Sequence, residues 1–521
     1  MKVKVAVRAD ASISIGSGHV HRCLTLTDQL LRSNYEVTFF TRPNNGHLVN
    51  LIKSRGCHVR LLPLILDESF NGDDCVTWPE SYAIEDARQT ILCAGDELYD
   101  WMIVDHYGVD SPWEIFTKGI YKHLLVLDDL ANRQHDCNIL VDQNLGRKSS
   151  HYQALLNEKA VRLCGSEYAL LRPEFSVSRD ISLERRKFHG LQSILIFMGG
   201  TDVNNITCRV LEALWDNHLK AFKKIYVVMG SNAPSLNNVR DLLGKFNCST
   251  ELLIDTDKIH EYMTLSDISV GGAGGAAWER CCLGLPSLIV TIAENQVEGS
   301  KALVRAGAAQ SITQLELKKR MLTKTILLLE NNGELSNMSA NAASICDGSG
   351  ASRVLAEMCK VDFSLLMPRK ANSSDEALLL IWANDPLTRQ NAVNQDVISE
   401  ESHSLWFKRK MADASHCIIY IVSLPDGNNL GQVRFDMADD GWLIDYSMDF
   451  SYRGMGLGSA MLSSAVTALA NLFPGQFVKG LVKQKNNASL RVFEKCQFVR
   501  QEQTDYNVVT FFKKLRSSKN D

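Results

Sequence analysis

The sequence predicts two open, doubly wound α/β sheets followed by a smaller α+β domain. Three observations carry this. Short apolar segments alternate with helix-length segments twice over, from the N-terminus to about residue 358, and each set opens with a strand that runs into glycines. Those segments are apolar on both faces, as strands buried in a parallel sheet are. Beyond Val361 the pattern becomes an antiparallel meander followed by a glycine loop and a helix. A chain of 521 residues is in any case too long for one hydrophobic core.

In the first set the predicted strands are Lys2–Val7, Tyr35–Thr41, Val59–Leu62, Trp101–Val104, Leu124–Leu127, Ile139–Val141 and Val161–Cys164. Lys2–Val7 runs through Arg8-Ala9-Asp10 into Gly16-Ser17-Gly18-His19. A helical pattern follows, with Val20, Leu24, Leu30 and Leu31 on one face. Ser166–Pro173 reads as a connector and Arg179–His189 as a polar, basic stretch. The second set is Ser193–Met198, Lys224–Met229, Glu251–Ile254, Ile268–Val270 and Ser287–Thr291. Polar helical sequence over 313–359 closes it. In the third part Phe363–Met367 reads as strand, Asp375–Ala383 and Glu400–Met411 as helices, and Cys417–Ser423, Gly431–Met437 and Trp442–Asp449 as the meander. The expected domains are 1–165 and 166–358, both Rossmann-like, and 361–516.

Composition narrows the function. The net charge of −4 offers no global basic field for nucleic acid or an anionic membrane, so the expected partner is a nucleotide-linked small molecule. The 14 cysteines form no C-x-x-C pair and read as reduced thiols of a cytoplasmic protein. No apolar run approaches the roughly 18 residues a membrane helix needs. The basic runs Arg185-Arg186-Lys187 and Lys318-Lys319-Arg320 read as solvated helix faces.

Four motifs carry chemistry. Gly16 and Gly18 let backbone N–H groups approach a phosphate, and His19 follows them directly. The plain alternative is a tight strand–helix turn. Gly271-Gly272-Ala273-Gly274-Gly275 follows a strand, with Glu279 one helical turn on, where a carboxylate reaches ribose hydroxyls behind a bound pyrophosphate. A bend for close helix–sheet packing is the alternative. Asn295 and Gln296 follow another strand of the same set, although Asn295 could simply cap a helix. Asp105-His106-Tyr107 ends the strand Trp101–Val104, where Asp105 could instead cap a turn.

Together these runs, with Arg22-Cys23-Leu24-Thr25-Leu26, resemble the UDP-2,4-diacetamido-2,4,6-trideoxy-β-L-altropyranose hydrolases of pseudaminic acid biosynthesis, over about residues 1–355. That family is similar to the GT-B glycosyltransferases and uses water where they use an acceptor. The resemblance implies inverting hydrolysis, with His19 central and Asp10 or Tyr107 orienting it or the water. It implies Asn295 as a further catalytic group, and Gly16, Gly18, Arg22, Gly272, Ala273, Gly274, Gly275, Glu279 and Gln296 as substrate and UDP contacts. Imidazole titrates near neutral pH, as a general base should. No metal is required, and no metal-ligand spacing occurs in this half.

The C-terminal part carries Arg453-Gly454-Met455-Gly456-Leu457-Gly458, which resembles the pyrophosphate loop of the GNAT acetyltransferases. Downstream, Asn486-x-x-Ser489 and Phe493-Glu494-Lys495-x-x-Phe498 resemble a second segment of that superfamily. The resemblance implies acetyl-CoA as cosubstrate, held by Arg453, Gly454, Gly456, Gly458, Ser459 and Asn486. Two positions depart from the pattern. Gln497 stands where it has glycine, and Phe493 where many members have a tyrosine that protonates the leaving thiolate; Tyr446 and Tyr506 are the stand-ins. Trp382–Arg389 is similar to the substrate-side entry of GNATs that acetylate amino sugars. The expected protein is a bifunctional nucleotide-sugar enzyme. The alternative is a glycosyltransferase with a non-catalytic CoA-binding module.

Overall fold

The computed structural model describes residues 2–64, 78–188, 190–215, 222–291, 296–317, 322, 325, 326, 329, 333–392, 394–501 and 507–516. The chain divides into two units, residues 1–31 with 35–354, and residues 32–34 with 355–521.

The first unit holds two parallel sheets. One is built from β1 (Lys4–Ala9), β2 (Glu36–Thr41), β3 (His58–Leu61), β4 (Tyr99–Asp105), β5 (Tyr121–Leu127), β6 (Ile139–Asp142) and β7 (Val161–Cys164), in the order β3-β2-β1-β4-β5-β6-β7. Val5, Ala6, Val7, Trp101, Met102 and Ile103 are 0% exposed, so the central strands β1 and β4 are covered on both faces, as their unbroken apolar runs require. The strand order reverses between β1 and β4. That is the topological switch point, where the loops leaving the two strands turn apart and open a crevice.

The second sheet comprises β8 (Ser193–Phe197), β9 (Lys224–Met229), β10 (Ser249–Ile254), β11 (Ile268–Gly271), β12 (Ser287–Val290) and β13 (Ala309–Ile312), in the order β10-β9-β8-β11-β12-β13. Its switch point lies between β8 and β11. Strand β13 was not expected. As an edge strand it pairs, among the described residues, with β12 alone and buries only its two ends, leaving no apolar run to read.

The basic stretch after the connector is solvated at Lys187, which is exposed, but not at its two arginines. It belongs to the helix Pro173–Phe188. Arg185 pairs with Asp267 at 2.6 Å. Arg186 donates to the carbonyls of Met263 and Ser266, and its burial lowers it to about 9. Both arginines close carbonyl or carboxylate acceptors that the packed helix would otherwise strand. The run 318–320 lies outside the described residues.

The second unit is a seven-stranded sheet of β14 (Met367–Lys370), β15 (Cys417–Ser423), β16 (Asn429–Ala438), β17 (Gly441–Met448), β18 (Phe477–Lys483), β19 (Val499–Arg500) and β20 (Val508–Lys514). The order is β14-β15-β16-β17-β18-β20-β19, antiparallel except for β17 and β18. Phe363–Met367 is not a strand. Residues Phe363–Leu365 form a 3-10 turn because Asp362 accepts from the Ser364 amide at 3.0 Å, and pairing begins only at Met367.

Candidate active site

His19 and Asp105 straddle the first switch point. β1 delivers the chain to a turn in which the Gly16 amide donates to the Ser12 carbonyl at 2.9 Å and the Ile15 amide to Ser12 Oγ at 2.9 Å. Gly16 sits at φ +82°, which L-residues avoid, and this reverses the chain into the helix Gly18–Arg32. His19 therefore lies in the first turn of that helix. Asp105 is the last residue of β4, the strand paired directly with β1.

The two side chains meet with His19 Nδ1 and Asp105 Oδ1 2.5 Å apart. Asp105 is fully buried and also takes the Arg22 guanidinium edge-on, through Nε at Oδ2 and through Nη2 at Oδ1, the latter at 2.6 Å. Burial by itself would raise the Asp105 carboxyl, but Arg22 and then His19 hold it well below the usual carboxylate range. An ionised Asp105 keeps the proton on Nδ1, which leaves Nε2 as the basic nitrogen. The Tyr107 ring packs edge-on against His19, 4.6 Å between centroids. Burial, and then the neighbouring Asp129, push the Tyr107 phenol up.

Several expected roles shift. Asp10 does not orient His19. Its carboxylate accepts from Arg8 Nη2 at 2.7 Å, the Arg42 amide at 2.8 Å and Thr41 Oγ1 at 3.1 Å, fixing the ends of β1 and β2. Asp105 takes the orienting place, because β4 rather than β1's own loop ends beside the helix. Arg22 was expected to touch substrate. Its guanidinium is instead held by Asp105 and, through Nη1 at 3.1 Å, by Asp129. Asn295 lies outside the described residues.

The second glycine loop occupies the second switch point, after β11. Gly271 is glycine for lack of room: a Cβ there would stand 2.6 Å from Arg280 Nη1 and 2.7 Å from the Phe197 carbonyl of β8. Arg280 Nη2 donates to the Gly272 carbonyl at 2.6 Å, and Gln296 Oε1 accepts from the Ala273 amide at 3.3 Å. Gln296 therefore shapes the loop. Gly274 and Gly275 carry the start of the helix Ala276–Cys282, their carbonyls accepting from Ala277 and Trp278. Glu279 is half-buried. Burial raises its carboxyl against the pull of Arg172 and Arg280. Arg172 also acts on His21, whose imidazole is lowered first by burial and then by that charge. One cation thus senses both the helix that carries His19 and the helix that carries Glu279.

In the second unit, β17 and β18 pair in parallel only over Trp442–Ile444 and then part. Tyr446 lies beyond the parting. Its hydroxyl donates to Ser489 Oγ at 3.0 Å, and burial pushes the phenol up to about 12. Gly454 and Gly456 sit at φ +77° and +80°, turning the loop into the helix Gly458–Leu472. Gly458 packs under Val492, with 3.1 Å left for a Cβ. The Ser459 carbonyl accepts from Cys496 Sγ. Asn486 caps the helix Asn487–Lys495 by accepting from the Ser489 amide at 3.1 Å. The Arg453 side chain is spent inside the protein, on Asp385 at 2.6 Å and the Met448 carbonyl at 2.9 Å. Phe493 is core: it stacks on Phe511 and meets Phe498 edge-on. Gln497 takes φ +60°, the left-handed conformation for which the pattern has glycine. Tyr506 lies outside the described residues.

Two parallel sheets with glycine loops at both switch points, followed by a mostly antiparallel sheet with one parted parallel pair, define a GT-B-like protein with an appended GNAT domain. The chain matches the glycosyltransferase family 28 C-terminal domain over residues 193–354 and the acetyltransferase (GNAT) domain over 366–499. It is 26% identical to the UDP-2,4-diacetamido-2,4,6-trideoxy-β-L-altropyranose hydrolase of Campylobacter jejuni, over 58% of this chain and 97% of that protein. The chain is a fusion of a homologue of that hydrolase with a GNAT acetyltransferase domain. An uncharacterised protein of Methanocaldococcus jannaschii is 24% identical over 95% of this chain and 96% of its own. Among solved structures, Acinetobacter baumannii MurG aligns with a TM-score of 0.47 at 15% identity, over 68% of this chain and 98% of that one. Among the described residues no cluster of three or more His, Cys, Asp or Glu is placed to hold a metal ion, and no helix is long and apolar enough to cross a membrane.

Proposed function

We propose that the first unit hydrolyses a UDP-linked 2,4-diacetamido-2,4,6-trideoxy sugar with inversion at the anomeric carbon. The observation that carries this reading is the buried Asp105–His19 pair at the first switch point. In the proposed step Nε2 of His19 takes a proton from water, and the water oxygen bonds to C1 on the face opposite UDP. The C1–O bond to the diphosphate breaks, and UDP leaves. Glu279 would accept from the ribose hydroxyls, and the Gly271–Gly275 loop would receive the diphosphate through its free amides. No metal enters this step.

The second unit would acetylate the 4-amino group of the UDP-sugar precursor. Gly454, Gly456 and Gly458 would take the pyrophosphate of acetyl-CoA: Gly454 and Gly456 have positive φ, a Cβ at Gly454 would meet nothing within 4 Å, and Lys360 Nζ lies about 4.0 Å from a Cβ at Gly456. Acetyl-CoA would supply the acetyl group, and Tyr446 would protonate the departing thiolate. Acetylation would directly precede hydrolysis, so the fusion joins consecutive steps.

The family 28 match favours one second reading, sugar transfer to an acceptor. Incubating the protein with the UDP sugar alone and following the free sugar by NMR separates the two. Hydrolysis with release of the inverted anomer is expected. Release only after an acceptor is added would overturn the hydrolase reading. His19→Ala should lower hydrolysis by roughly 10²–10⁴-fold with UDP affinity nearly unchanged; lost UDP binding would make His19 structural. For the second unit, CoA release with the 4-amino UDP sugar is expected, and CoA binding without release would retire the acetyltransferase assignment.

A further inference from the structure

The basic residue one turn after His19 does not behave like a ligand for phosphate. Arg22 spends Nε and Nη2 on the two oxygens of Asp105, and Nη1 on Asp129 Oδ2 at 3.1 Å. Only 13% of its side chain is exposed. Nη2 also lies 3.4 Å from His19 Nδ1, so Asp105 Oδ1 is shared between the imidazole and the guanidinium.

A buried carboxylate alone beside an imidazole fixes its orientation but also favours the imidazolium, the form that cannot act as a base. We propose that Arg22 is a positioning residue that acts through Asp105: it fixes the carboxylate in plane and balances its charge, so that Asp105 can orient His19 with its own negative charge already opposed. This deepens the hydrolase reading and rests on it. The groups that face His19 are Asp105 at the end of β4, Tyr107 from the loop after it, Arg22 on its own helix and Cys23, whose thiol lies 3.8 Å from Asp105 Oδ2. Asp129, after β5, reaches the histidine only through Arg22 and Tyr107. The Cys23 thiol is raised well above its ordinary value, by burial first and then by Asp105, and stays neutral.

The charges predict shifts of opposite sign. Arg22→Gln leaves two carboxylates with no cation, and the acid limb of kcat/KM should move up by about one pH unit or more. Asp129→Asn removes the outer carboxylate and leaves the Arg22 charge less opposed, so the limb should move down. UDP affinity should stay within about twofold in both, a binding change of under ~0.5 kcal/mol. Titration of His19 by NMR in histidine-labelled protein, its signal assigned by its loss in His19→Ala, reads the same shifts without turnover. A chain that hydrolyses nothing would therefore retire the hydrolase reading and still leave this inference testable. Melting curves establish that each variant is folded, and either variant alone decides the sign. An unmoved His19 titration in a folded variant, or tenfold weaker UDP binding with an unmoved limb, would overturn the proposal and make Arg22 structural or a substrate ligand.

Discussion

Replacing Asp105 by asparagine separates orientation from charge at the centre of the site. The side chain is fully buried, and it accepts from His19 Nδ1 at 2.5 Å and from two nitrogens of Arg22. An amide of the same size keeps one acceptor oxygen but turns a donor toward a donor on its other side. Removing one partner of a buried ion pair costs about 3–5 kcal/mol. Asp129 still holds the far side of Arg22 at 3.1 Å, so the lower end applies, ~3 kcal/mol. For a unit of this size that is a fall on the order of 5 °C in the melting of the first unit, read by calorimetry.

Hydrolysis should drop by roughly 10²–10⁴-fold, because the amide no longer keeps the proton on Nδ1. UDP affinity should hold, since the glycine loop stands on the other sheet. The pH dependence has a definite sign. The folded carboxyl lies below its unfolded value of about 3.9, so its stabilisation is complete above about pH 5 and fades as acid protonates it. The stability gap between the wild type and Asp105→Asn should therefore narrow below about pH 4. A variant that melts with the wild type at pH 7 and keeps more than about a tenth of its hydrolysis would refute the assignment of Asp105.

Two further outcomes concern the acetyltransferase unit. Tyr446→Phe should lower acetyl transfer by roughly 10²-fold while leaving CoA affinity intact, measured by CoA release and by calorimetric titration; unchanged turnover would move the general acid elsewhere. Gln497→Gly should stabilise the second unit by about 1 kcal/mol, because the left-handed conformation there strains any L-residue. Its check is the melting of that unit, and a loss of stability would show that the Gln497 side chain packs.

Much of the fold was legible because burial leaves a local trace. Strands covered on both faces, such as β1 and β4, are apolar without interruption, and glycine loops follow strands where the chain must turn at positive φ or pass close to backbone. Edge strand β13 left no such trace, since half of it faces water. Of the candidate site, His19, the loop Gly271–Gly275 and Glu279 stand out in the sequence by type and spacing.

What the sequence alone determined, then, was the architecture and the residues that own a motif. Only the tertiary structure decided which charges meet. Asp105 is 86 positions from His19 and became its partner because β4 pairs with β1 at the switch point. In the same way the structure ties Asp10 to Arg8 and the end of β2, Arg22 to Asp105 and Asp129, and the Arg453 side chain to Asp385. The physical reason is that periodicity records whether a side chain is buried, a property of one position and its near neighbours. An ion pair depends on two strand ends being brought together, and strand order across a crossover is written nowhere in the local pattern.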